Sequence, residues 1–261
     1  MSYFMGVDIG SLTVKVVLID GEGRVLGSAV DRSGYRGKEI ARELVDKVLS
    51  EQGISREQLA RTIATGYGRI TFPADEEVSE ITCQARGIAH IFENARTIID
   101  IGGQDSKAIK ILPGGKVIDF AMNDKCAAGT GRFLEVMAGA LEVDVKELGN
   151  LAAKARKRCT ISSTCTVFAE SEVISQISQG APKTDIVAGI CEAIAGRVAA
   201  LAARVGPEPE IVLTGGVALN SGVVKALEEK LKKRISVPPE PVISAALGAA
   251  LIARDKATKN K

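Results

Sequence analysis

Two stretches of the chain repeat one another at an offset of 92 residues, and this duplication restricts the possible folds more than any other feature of the sequence. GVDIGSLTVKVVLID and IIDIGGQDSKAIKIL place Asp8 on Asp100, Ile9 on Ile101, Gly10 on Gly102 and Lys15 on Lys107. A strand, a Gly-containing turn and a second strand that occur twice imply two related lobes, each burying its own apolar face. The first copy reads as three strands (FMGVDI, LTVKVVLID, RVLGSAV), a helix from about Lys38 to Gln52, a strand at Arg61 to Thr65, a Gly-rich GYGR turn and a helix from Ile81 to Phe92. The second restarts at Thr97, turns at Pro113-Gly114-Gly115 and continues through KVIDFAM into several helices, the buried strand EIVLTGG and a last helix, VISAALGAALIARD. The expected fold is therefore α/β with duplicated mixed sheets. Its lobes span residues 1–95 and 96–261, and the C-terminal helix packs back on the first lobe. Only the final ATKNK reads as a loose end.

Charge sets few limits here. Thirty-four Lys and Arg against 32 Asp and Glu leave a net +2, so no global field favours nucleic acid or a membrane surface. The basic runs KARKR and KLKKR read as solvated helix ends. The start MSYFMGVDIG opens a strand and has no signal-peptide pattern. No apolar run approaches the roughly 20 residues of a membrane span, and the expectation is a cytoplasmic protein. Five cysteines, an odd number, argue against a disulfide framework there.

DIGS and DIGG share one logic: an acidic residue ends a strand, and a turn with glycine lets backbone N–H groups approach an anion closely. Ser11, Thr13 and Lys15 add donors to the first turn, and Gln104, Asp105, Ser106 and Lys107 follow the second. A third element, LTGGVALN, runs a strand into paired glycines where a flat ring can lie against the backbone. Neither GxxxxGK[ST] nor a GxGxxG after the first strand is present, which excludes a Walker-type site.

Cys126 lies in NDKCAAGTGRFLE among small residues, ahead of the apolar helical spacing of Phe133, Leu134, Met137 and Leu141. Cys165 lies similarly in SSTCTVFAESEVISQI, ahead of Val167, Phe168, Val173, Ile174 and Ile177, which the spacing predicts as a buried face. Both thiols are expected at helix starts, where unpaired N–H groups and the macrodipole favour negative charge. They are either unrelated loop thiols or half of a four-cysteine metal site. Cys159 competes for the second place, and no CxxC pair offers a zinc site within one chain. Because a cubane cluster takes four thiolates, two per chain would require a two-fold dimer. Cys83, Cys191 and the single histidine, His90, read as core or edge residues.

The three Gly-containing turns together resemble the superfamily of acetate and sugar kinases, heat-shock ATPases and actin. That resemblance implies a two-lobed actin-like, ribonuclease H-like fold with ATP and Mg2+ held between the turns. Asp8 and Asp100 would be direct or water-mediated magnesium ligands and Gln104 would lie near the attacking water. Ser11, Leu12, Thr13, Val14, Lys15, Gly102, Gly103, Gly129, Gly215, Gly216 and Val217 would line the nucleotide. With the cysteine motifs added, nearly the whole chain resembles the family of 2-hydroxyacyl-CoA dehydratase activators and benzoyl-CoA reductase ATPase subunits, of the BadF/BadG/BcrA/BcrD type. That implies ATP hydrolysis coupled to one-electron transfer and a homodimer sharing one 4Fe-4S cluster on Cys126 and Cys165 of both copies. It also implies ferredoxin or flavodoxin as electron donor, an acyl-CoA dehydratase or reductase as acceptor, and anaerobic work. Val242 stands in PPEPVIS where the resemblance leads to glutamine. Four helix ends aimed at such a cluster would stabilise its reduced form by about 4 kcal/mol in all, on the order of 170 mV for one electron. A small-molecule kinase of the same superfamily and a nucleotide-dependent reactivating chaperone are the rival readings.

Overall fold

The computed structural model describes residues 2–162 and 165–259. Five strands, β1 (Tyr3–Ile9), β2 (Thr13–Ile19), β3 (Val25–Arg32), β4 (Leu59–Thr65) and β5 (Glu76–Glu77), form one sheet in the order β3-β2-β1-β4-β5. Five more, β6 (Thr97–Ile101), β7 (Ser106–Leu112), β8 (Lys116–Asn123), β9 (Ile211–Thr214) and β10 (Ile235–Ser236), form a second in the order β10-β9-β6-β7-β8. Taken from the opposite edge, the second order matches the first strand for strand. Both sheets are mixed: β1 pairs antiparallel with β2 and parallel with β4, and β6 pairs antiparallel with β7 and parallel with β9. The register repeats too, since Asp8 faces Lys15 and Thr65 while Asp100 faces Lys107 and Thr214. The duplication therefore extends well beyond the strand-turn-strand unit that the sequence shows.

Among the described residues eight α-helices are interleaved with the strands: α1 (Gly37–Gln52), α2 (Glu80–Ile91), α3 (Gly131–Ala140), α4 (Leu148–Ala153), α5 (Thr166–Ser178), α6 (Lys183–Ala203), α7 (Ser221–Leu231) and α8 (Ser244–Lys259). The chain divides into two compact units. One comprises the residues up to Ala95, Ile111–Ile118 and the stretch from Val242 onward, and the other comprises Arg96–Lys110 and Asp119–Pro241. In the first unit α8 packs on α2 and on β1, β4 and β2, with Ala246, Ala249, Ala250, Leu251 and Ala253 buried. Glycine makes this close approach possible. A Cβ at Gly6 would stand 1.9 Å from the Ala246 carbonyl oxygen, and one at Gly248 would stand 1.7 Å from that of Cys83. The helix continues through Lys259, so Ala257 to Lys259 are not a loose end; Asn260 and Lys261 lie outside the described residues.

The core of the second unit is built around α6. By length and composition alone this helix could cross a membrane, contrary to the expectation that no apolar run comes near that length. It is instead a core helix, with Ile186, Val187, Ile190, Ile194 and Val198 buried against Phe133, Leu134 and Met137 of α3, Ala169 and Val173 of α5, and Leu227 of α7. A helix apolar on most of its circumference has to be enclosed by others.

Candidate functional site: two acidic turns and a pair of accessible thiols

At the end of β1, Asp8 is 2% exposed. One of its oxygens, Oδ2, lies 3.0 Å from Lys15 Nζ, while Oδ1 is buried and has no hydrogen-bond partner. A buried carboxylate oxygen without a donor is costly, which marks a place for a cation or an ordered water. Oxygen donors of this kind suit Mg2+, a hard ion that keeps much of its water. The Gly10 N–H donates to the Thr13 carbonyl at 3.0 Å and closes the turn, leaving Ser11, Leu12 and Thr13 half-buried. Val14 is fully buried in the core, so only its backbone can face a ligand.

The second turn is built differently. Asp100 Oδ1 accepts from Thr214 Oγ1 at 2.9 Å, and Lys107 Nζ lies 3.5 Å from Asp100 Oδ2 but 2.8 Å from Asp105 Oδ2. All three charged groups are buried, so two carboxylates share one ammonium. Gln104 is exposed at the tip. The N–H groups of Gly131 and Arg132, at the start of α3, donate to the Gly102 and Gly103 carbonyls at 2.8 Å each, so the helix is tied to the turn by its backbone.

Each acidic turn has a neighbour of identical construction. Gly66 follows β4 with φ +83°, and a Cβ there would stand 2.4 Å from Asp8 Oδ1 and 2.6 Å from the Ile9 carbonyl oxygen. Gly215 follows β9 with φ +82°, and its Cβ would stand 2.3 Å from the Ile101 carbonyl oxygen and 3.0 Å from Asp100 Oδ1. Only glycine combines that conformation with that proximity. Thr65 and Thr214, which precede them, are fully buried. The sequence reading took up the second Thr-Gly step and missed the first; the signal was the dipeptide itself, ATG at 64–66 against LTG at 213–215. Beyond Gly215, whose N–H donates to the Pro241 carbonyl at 3.0 Å, a 3-10 turn carries Gly216 and the buried Val217 to Asn220. The Asn220 Oδ1 caps α7, accepting from Gly222 and Val223 N–H groups.

The two thiols are placed differently from each other. Cys165 is the N-cap of α5 and is exposed, as the sequence suggests. Cys126 is half-buried and lies five residues ahead of α3, not at its start. Asn123 holds it in a turn, its Nδ2 donating to the Cys126 carbonyl at 2.8 Å and its Oδ1 accepting from the Cys126 N–H at 3.3 Å. Gly129, in the same turn, has φ +93°. Only one thiol per chain thus has a helix end behind it, and the electrostatic contribution expected from four ends halves to about 2 kcal/mol. The face of α5 is a second correction: Val167, Phe168, Ile174 and Ile177 are 64%, 66%, 52% and 42% exposed, and only Ala169 and Val173 are buried.

Cys159 is half-buried against the helical core, with its N–H donating to the Asp185 carbonyl at 3.0 Å. Cys83 and Cys191 are core residues whose thiols burial pushes up to about 12. At pH 8 the folded, metal-free protein is therefore expected to react with iodoacetamide first at Cys165, and at Cys83 and Cys191 only after unfolding. Peptide mass mapping over a time course checks this order, and early labelling of Cys83 would contradict it. Among the described residues no three His, Cys, Asp or Glu gather as a metal site. One chain thus offers one exposed thiol, Cys165, and two half-buried ones, Cys126 and Cys159, which among the described residues form no complete four-thiolate site.

The model of the BadF/BadG/BcrA/BcrD ATPase family matches residues 5–253. The crystal structure of the Acidaminococcus fermentans (R)-2-hydroxyglutaryl-CoA dehydratase component A is 47% identical, with a TM-score of 0.96 over 99% of this chain and 100% of that one. The activator of the 2-hydroxyisocaproyl-CoA dehydratase from Clostridium difficile, solved with bound ADPNP, is 46% identical, with a TM-score of 0.94 over 99% of this chain and 96% of that one. A ROK hexokinase from Thermus thermophilus, 17% identical over 97% of this chain and 99% of that one with a TM-score of 0.55, shares the actin-like fold alone.

Proposed function

The chain belongs to the BadF/BadG/BcrA/BcrD ATPase family, and from that premise we propose that it activates a 2-hydroxyacyl-CoA dehydratase, or a related acyl-CoA reductase, by ATP-driven transfer of single electrons. It is an ATPase. The surface beside Cys165 carries the reading: an exposed thiol at the start of a helix whose apolar side chains Val167, Phe168, Ile174 and Ile177 are 42–66% exposed. Contiguous apolar surface of this kind is what a homodimer buries, and a second copy brings the two further thiolates that a 4Fe-4S cluster needs. Cys126 and Cys165 of both copies would hold that cluster, which when bound would take one electron from a ferredoxin or flavodoxin and hand it on.

The remaining roles fall to the chain itself. Asp8 would hold Mg2+ through its uncommitted oxygen or through a water, with Asp100 contributing from the second turn. Ser11, Thr13 and Lys15, with the backbone N–H of Gly103, meet phosphate oxygens, while the Gly102 N–H closes its own turn on the Asp105 carbonyl, and Gln104 orients the attacking water. Gly215, Gly216 and Val217 lie along the adenosine. The two hydrogen bonds from the start of α3 to the second turn give a shift of that turn a direct mechanical route to the Cys126 segment.

Anaerobic purification should yield a brown dimer with about four iron and four sulfide per two chains. The double variant Phe168→Asp with Ile174→Asp is expected to run as a monomer in size-exclusion chromatography and to lose its iron. A dimer with full iron content in that variant would overturn the assignment of α5 to the interface, and a metal-free wild type that still cleaves ATP would overturn the electron-transfer reading.

A further inference from the structure

The first unit carries a cavity that shares the β1–β2 turn with the proposed phosphate contacts and extends away from it to residues that have no role above. It has a volume of about 810 Å³ and is bounded by the β1–β2 turn at Gly10 and Ser11, by the segment from Ser33 to Glu39 that enters α1, and by Gly68 and Thr71. Four of its wall positions, Gly10, Gly34, Gly37 and Gly68, present bare backbone. At Gly68 this is obligatory, because a Cβ would stand 2.4 Å from Ile9 Cγ2.

Its polar side chains include the donors Ser33, Arg36 and Lys38 and one carboxylate, the exposed Glu39 at the rim. A 3-10 turn, Gly34–Arg36, runs directly into α1 and no side chain caps the junction, so the N–H groups of Lys38 and Glu39 have no side-chain acceptor. Ser33 is 4% exposed, and its hydroxyl is buried with no hydrogen-bond partner although it lines the cavity. A buried hydroxyl in that state needs an acceptor from outside the chain. Lys38 is half-buried in the wall and makes no ion pair among the described residues, whereas Arg36 is engaged by Glu43 at 3.1 Å. Uncapped N–H groups and an unsatisfied hydroxyl beside one uncommitted ammonium, at the start of a sixteen-residue helix, are the chemistry of an oxyanion site.

We propose that this cavity binds phosphate as a site separate from the nucleotide, and that it is filled by the orthophosphate split from ATP, to which its wall at Gly10 and Ser11 gives access. This rests on the ATPase reading and adds a place where the product is retained. Ser33 and Lys38 are its binding residues.

The test is calorimetric titration of the homodimer with sodium phosphate while the nucleotide site is filled by a non-hydrolysed ATP analogue. Expected are saturable binding in the wild type, weakening of roughly tenfold in Lys38→Glu and a smaller loss in Ser33→Ala. Absence of binding at millimolar phosphate, or equal binding in all three proteins, would overturn the site. A second arm follows ADP formation and free phosphate together during turnover. Retention predicts that phosphate appears after ADP in the wild type and that the delay disappears in Lys38→Glu. An equal delay in both, with titration still sensitive to Lys38, would overturn ATP as the source and assign the cavity to the phosphate of another small molecule. Failure of the ATPase reading itself would show separately, as no ADP.

Discussion

Cys126→Ala is expected to abolish iron binding, not merely to reduce it. In a two-fold dimer one substitution removes two of four sulfur ligands at once, and two thiolates do not hold a cubane. The change is structurally mild, since Cys126 is half-buried and followed by Ala127 and Ala128, and the backbone of its turn is held by Asn123. Folding, dimerisation and ADP binding should therefore persist while colour, iron and sulfide disappear. Cys165→Ala should behave alike, and Cys159→Ala should keep its iron, because that residue precedes no helix start and its backbone is tied to the Asp185 carbonyl of α6. Iron measured in anaerobically prepared variants decides the matter. A Cys126→Ala dimer with wild-type iron, or a Cys159→Ala dimer without any, would assign the ligands differently.

Asp8→Asn should lower ATP hydrolysis on the order of 100- to 1000-fold, the range seen when one charge-stabilising group is removed from a preorganised site. Asn keeps the shape but removes the charge that pairs with Lys15, and it replaces an oxygen available to a cation. Asp100→Asn should cost less: its Oδ1 is already taken by Thr214, and Asp105 remains to neutralise Lys107. Steady-state rates across a Mg2+ titration test the order, with ADP affinity as the control for folding. Equal losses in the two variants would mean that the symmetric register of the turns, rather than their unequal hydrogen bonding, governs the chemistry.

Much of this architecture is legible in the sequence because it is written in short-range signals. The offset between Asp8 and Asp100 gives the repeat, and the glycines of DIGS, DIGG and LTGG mark where backbone must approach backbone. The position of Cys165 follows from the helical spacing after it. What was not legible depends on partners distant in sequence. Cys126 reads as a helix start because small residues and helical spacing follow it, but Asn123 makes a side-chain-anchored turn of those residues and delays α3 to Gly131. The apolar positions of α5 look like a core face because periodicity reports only that a face is apolar, not whether its cover lies in the same chain. The Thr65-Gly66 step became recognisable as a twin of Thr214-Gly215 only when the parallel pairing of β1 with β4 set it against Asp8.

The connection from the third to the fourth strand spans residues 33–58 in the first sheet and residues 124–210 in the second. Both Cys126 and Cys165 lie inside that longer excursion, and nothing equivalent exists in its counterpart. The fold is thus a doubled unit whose second half carries the longer insertion, with both cysteines in it. Because the same excursion carries α6, around which the second unit's core is built, trimming the cysteine-bearing stretch away would strip that sheet of the helices that cover it.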